Sequence, residues 1–186
     1  MRIRSVPTLL ALTALMALAG CASQPAQMPR TVAHVDLDRY MGTWHVIANI
    51  PNFLEKGKVA TADEYHRRKD GDIAITYHFR KGFDRAPDAW HGKGWLPDPK
   101  DAAHWKVRII WPFVSDYLIL ALDPQYRYVM VGVPDRDLLW IMARGTTMPD
   151  DVYRQYVEQA RAQGFPVDQL KRVPQTAAQV GRPGYQ

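Results

Sequence analysis

Apolar and polar positions alternate with a period of two over short stretches through most of the chain, and the period changes only near its end. Eight stretches read as strands on this pattern: Thr43–Asn49, Val59–Arg68, Ile73–Arg80, Trp90–Leu96, His104–Ile110, Asp116–Leu122, Tyr128–Val133 and Leu138–Ala143. Turn signals separate several of them, namely Lys69-Asp70-Gly71, Pro97-Asp98-Pro99, Asp123-Pro124-Gln125 and Pro134-Asp135-Arg136-Asp137. Strands this short and closely spaced predict a barrel or a sandwich. After Arg144 the spacing becomes helical: Val152, Tyr153, Tyr156, Val157 and Ala160 fall on one stripe, with Thr147 expected as cap, Asp150 in the first turn and Gly164 as stop. An amphipathic helix of this kind packs on the outside of a sheet. Gln169–Val173 reads as one further short strand.

Alternation also assigns faces. In the third strand Ile73, Ile75, Tyr77 and Phe79 share one side, and in the fifth Trp105, Val107 and Ile109 do. At the Asp70-Gly71 hairpin, a two-residue turn would set Tyr65 opposite Thr76. A three-residue loop with Gly71 left-handed sets Tyr65 opposite Ile75 and keeps apolar groups on one face, so it is preferred. The inward set expected from parity is Val46, Ala48, Tyr65, Ile75, Tyr77, Phe79, Trp95, Val107, Ile109, Tyr117, Ile119, Trp140 and Met142. Thr61, Asp63, His91 and Lys93 share that parity. Lys93 is the candidate partner for a ligand carboxylate or phosphate; the alternative is that these four form a merely wet rim.

The N-terminal segment has another logic. Arg2 and Arg4 precede a nearly unbroken apolar run, Val6 to Ala19, which is the pattern of a secretory signal and is short for a membrane span. The run ends in Leu18-Ala19-Gly20-Cys21, which resembles the bacterial lipobox, and that resemblance implies lipidation of Cys21 by long acyl chains such as palmitate. Two or more acyl chains hold a protein firmly to a membrane. The expected organisation is a lipoprotein signal peptide (1–20), a tether after lipidated Cys21 (21–34), a folded domain (35–174) and a loose tail (175–186). With Ala22 in place of Asp, resemblance to Gram-negative lipoproteins implies an outer-membrane, lipid-anchored, periplasm-facing protein.

Among the 186 residues 47% are hydrophobic and 23% charged, enough for a real core. The net charge of +5 falls to a formal +3 once Arg2 and Arg4 are discounted, too mild to argue for nucleic acid. Cys21 is the single cysteine, so neither an internal disulfide nor a cysteine zinc site is available. The serines are Ser5, Ser23 and Ser115, with no Gly-x-Ser-x-Gly. His45, His66, His78, His91 and His104 show no metal-ligand spacing. No catalytic residue, metal or cofactor is therefore expected.

Three residues sharpen the fold. Gly42-Thr43-Trp44 opens the first strand after Asp36-Leu37-Asp38-Arg39-Tyr40, which reads as a short helical turn, and Arg144 closes the last. This resembles the lipocalin family, in which a Gly-x-Trp at the start of the barrel meets an arginine from its end. The stretches Ala121–Tyr128 and Gly132–Trp140 bring the likeness closest to bacterial outer-membrane lipoprotein lipocalins and their apolipoprotein D-like relatives. One departure is Leu122-Asp123-Pro124, where the family usually has Thr-Asp-Tyr. The resemblance covers about Val35 to Val173. It implies an all-β fold, an eight-stranded antiparallel up-and-down β-barrel with a C-terminal α-helix packed outside. It gives Gly42, Trp44 and Arg144 a structural role and implies that the inward set surrounds a lipid amphiphile such as a fatty acid or lysophospholipid. The alternative is a filled barrel acting as an envelope interaction lipoprotein. A homodimer is left open.

Overall fold

The computed structural model describes residues 27–186; Cys21 and the expected signal peptide lie outside the described residues. A short helix, α1 (Leu37–Tyr40), precedes eight strands: β1 (Gly42–Asn49), β2 (Val59–Arg67), β3 (Ile73–Arg80), β4 (Asp88–Trp95), β5 (His104–Arg108), β6 (Ser115–Leu122), β7 (Tyr128–Gly132) and β8 (Leu139–Ala143). Helix α2 (Asp150–Ala162) and a two-residue strand, β9 (Lys171–Arg172), follow. Each strand pairs antiparallel with the next, and β1 pairs with both β8 and β2, which closes the barrel. Closure removes every free edge among the eight strands.

The β2–β3 hairpin has the preferred register, Tyr65 opposite Ile75, around a loop in which Gly71 has φ +91°. A left-handed residue costs glycine nothing, and this fixes which face of both strands is apolar. The barrel has two apolar layers. Inside lie Trp44, Val46, Tyr65, Ile75, Trp105, Tyr117, Ile119 and Met142. Outside, Ile47, Ala48, Leu118, Met130 and Ile141 carry the buried stripe of α2, Tyr156 and Ala160, with Phe165 just beyond the helix.

Three expectations need correction. Thr147 does not cap α2: Pro149 stands at the N-cap with no side-chain bond, and Asp150 and Asp151 occupy the first turn. Proline suits a helix start because its missing N–H has no partner there in any case. The tail is not loose. Gln175 donates through Nε2 to the carbonyls of Val46 and Thr61, where β1 and β2 splay apart, and the Gln186 amide donates to Arg172. The end of the expected tether also lies on the barrel, with the Val32 amide donating to the Ile119 carbonyl.

Candidate functional site

One end of the barrel is plugged. The Arg144 guanidinium lies 3.8 Å from the centre of the fully buried Trp44 ring. It donates to the carbonyls of Arg39, Tyr40, Thr43 and Tyr126. Trp44 Nε1 donates to the Tyr40 carbonyl at 2.8 Å. A β-carbon on Gly42, which has φ +90°, would lie 3.4 Å from Arg144 Nη1. Above this floor the hydroxyls of Tyr40 and Tyr65 both bond that of Tyr117, at 2.7 and 2.9 Å. Burial raises all three tyrosines well above the usual phenol range. They serve as neutral hydrogen-bonding groups.

The other end is open and leads into a cavity of about 580 Å³. This lies within the range of roughly 300–1,000 Å³ that small-molecule sites occupy. Of the expected inward set, Tyr65, Ile75, Tyr77, Val107, Ile109, Tyr117 and Trp140 line it, as does Asp63. Val46, Ile119 and Met142 sit in the interior core and do not line the cavity. Phe79 is buried against Tyr77 and Trp90. Thr61 is buried where β2 bulges.

Ala48, Lys93 and Trp95 face outward, against expectation. In β1 the register slips between Val46 and Ala48, so Ala48 pairs with Ile141 in the outer layer and Asn49 takes the inward position opposite Trp140. In β4, Trp90, Gly92 and Gly94 pair with the inward Tyr77, Ile75 and Ile73. His91, Lys93 and Trp95 therefore lie on the outer face, and Lys93 Nζ donates to Asp72 at 2.6 Å. With the inward positions held by glycine, only Trp90 marked the true face, and Trp95 pointed to the wrong one.

The polar end of the cavity comes largely from residues the sequence pattern did not single out. Glu55, on the β1–β2 loop, accepts from Asn49 Nδ2 (2.7 Å), Asn52 Nδ2 (2.9 Å) and Trp140 Nε1 (3.0 Å). Burial raises its pKa, against those three donors. Asp63 faces the hollow rather than bulk water. Burial, with Glu55 nearby, pushes its carboxyl up to about 7, while a bond from Tyr65 opposes the rise. Lys58 does not line the cavity: its Nζ is buried 3.2 Å from the centre of the Trp90 ring and 3.7 Å from that of Phe79. It has no hydrogen-bond acceptor among the described residues, and burial lowers its pKa to about 8. The Tyr77 hydroxyl is likewise buried without a partner. Among the described residues no group of three or more His, Cys, Asp or Glu is placed to hold a metal.

Proteins similar to this eight-stranded cup are known. The Lipocalin-like domain family model matches residues 35–175. The chain belongs to the lipocalin family. It is 34% identical to the outer membrane lipoprotein Blc of Citrobacter freundii, over 94% of this chain and 99% of that protein. It is 33% identical to temperature-induced lipocalin-1 of Arabidopsis thaliana, over 78% of this chain and 82% of that protein. The fold matches insecticyanin of Manduca sexta with a TM-score of 0.63 at 17% identity, covering 83% of this chain and 89% of that one. Lipocalins generally bind small hydrophobic ligands. In this lipocalin the aromatic and aliphatic wall supplies the surface for one.

Proposed function

We propose that this lipocalin holds a single-chain lipid amphiphile in its cavity and stores or carries it at the outer membrane, anchored through acylated Cys21. The observation that carries the reading is the open cavity of about 580 Å³ above a sealed floor, lined by Ile75, Val107, Ile109 and Trp140. It also speaks against a filled barrel. An acyl chain suits such a wall: each buried methylene contributes about 0.8 kcal/mol, so ~10 of them give on the order of 8 kcal/mol before the costs of binding. The name outer membrane lipoprotein, borne by relatives aligned over nearly the whole chain, and the Leu18–Cys21 motif support the location.

The polar end favours a headgroup with a positive or hydrogen-donating part. Glu55 and Asp63 repel a bare carboxylate when they are ionised, whereas an ammonium group is attracted. A zwitterionic lysophospholipid therefore suits the site better than a fatty acid anion. Titration of the protein with lysophosphatidylethanolamine and with palmitate, followed by tryptophan emission, tests this. Micromolar binding of the lysophospholipid, at least tenfold tighter than palmitate at pH 8, is expected, with Ile109→Glu abolishing it. Unchanged emission with both lipids would remove the assignment.

A further inference from the structure

Six large apolar side chains are strongly exposed among the described residues, and four of them share one end of the molecule. Phe53, 89% exposed, is on the β1–β2 loop; Trp111, 79% exposed, Phe113 and Val114 are on the β5–β6 loop. The strand order places these loops on opposite sides of the barrel mouth, and Phe53, Phe113 and Val114 also border the cavity. Among the charged side chains of these two loops only that of Lys56 is exposed, since Glu55 and Lys58 are turned inward. The two intervening loops at the mouth are polar and carry both signs, with Lys81, Asp84, Arg85 and Asp135. The rim thus has two apolar feet separated by charged ground. Aromatic side chains presented this way settle at the boundary between lipid headgroups and acyl chains.

The path of the chain gives a second, independent observation. The Gln27 carbonyl accepts from Arg136 Nη2 at 2.6 Å, and Arg136 lies on the β7–β8 loop at this same mouth, next to the cavity-lining Asp137 and Leu138. Only six residues of sequence carry the chain from Gln27 back to Cys21. At ~3.3–3.6 Å per residue they reach roughly 20 Å. Acyl chains on Cys21 would therefore tether the mouth, not the plugged floor, close to the membrane.

We propose that the barrel docks mouth-down on the phospholipid bilayer, with Phe53 on one side and Trp111 and Phe113 on the other entering the headgroup layer, so that the cavity opens onto lipid rather than water. The inference rests on the proposed anchor and cargo. The test uses the full acylated chain in phosphatidylethanolamine–phosphatidylglycerol vesicles, with and without brominated acyl chains. Subtracting the emission of Trp111→Phe, which keeps an aromatic foot, isolates Trp111. The bromines should quench that signal at least twofold, and iodide should lose access to it. An unquenched Trp111 open to iodide overturns the proposal. So does a Trp111 shielded from iodide but untouched by bromine, which would mark a contact between copies or with another protein. As a functional readout, Trp111→Lys, which does not line the cavity, should slow uptake of lysophosphatidylethanolamine from vesicles at least fivefold and leave its affinity in solution unchanged. An unchanged uptake rate overturns the proposal as well. Absence of lysophospholipid binding in solution, with Trp111 still quenched by the bilayer, would sink the cargo and leave the docking standing.

Discussion

Asp63 sets the chemistry of the cavity through a single proton. Its carboxyl faces an aromatic hollow instead of water, so the folded chain holds that proton up to a pH of about 7, far above where the unfolded chain releases it. The folded state thus binds more protons than the unfolded state between about pH 4 and pH 7, and this group makes stability fall as pH rises through that window. Above about pH 7 the cost is complete. Asp63→Asn removes it, and is expected to raise stability at pH 8 by about 2–4 kcal/mol while changing little at pH 4. Denaturant unfolding of both proteins at the two pH values measures this. Equal stabilisation at pH 4 and pH 8 would show that Asp63 ionises normally. The same proton bears on selectivity: as pH falls and Asp63 is neutralised, palmitate should gain on the lysophospholipid.

At the scale of elements, alternation identified the eight strands and the outer helix to within a few residues, because one buried face imposes a period of two on every strand. It failed where the backbone changes phase or the side chain is missing. The slip in β1 turns Ala48 out and Asn49 in. In β4 the inward positions include Gly92 and Gly94, which leave no apolar mark, so alternation alone puts Trp95 and Lys93 on the wrong face. Glu55 and Lys58 lie at or near a loop, where no period operates, and only their convergence on Trp140 and Trp90 reveals them. The glycines have a physical reason. A β-carbon at Gly92 would stand 2.5 Å from the Arg108 carbonyl oxygen and 2.8 Å from Ile109, where β4 and β5 meet at the cavity wall. Gly92→Val must part those strands, and overpacking of this kind costs roughly 1–3 kcal/mol or more. Thermal unfolding should show the loss, together with faster amide exchange at Val107 and Arg108. A variant as stable as the parent would mean that β5 yields there without cost.

On the scale of the whole molecule, the two apolar layers divide structure from function. The outer layer under α2 and the floor under Arg144 hold the barrel shut whatever the cup contains, and they leave the inner wall free to stay unfilled at the mouth. A protein built this way is stabilised by its cargo through mass action alone. At a hundredfold excess over the dissociation constant, a ligand that binds only the folded state adds about 2.7 kcal/mol. For a chain of this length that shifts the melting temperature by about 5–10 °C. Filling the hollow should separate ligand from barrel. Ile109→Trp places an indole where the acyl chain would lie, so it should abolish the shift with lysophosphatidylethanolamine while leaving the melting temperature of the empty protein within a few degrees of the parent. Differential scanning calorimetry of both proteins, with and without lipid, makes the comparison. If Ile109→Trp melted early and still responded to lipid, the cavity wall would be part of the frame and the ligand would lie elsewhere.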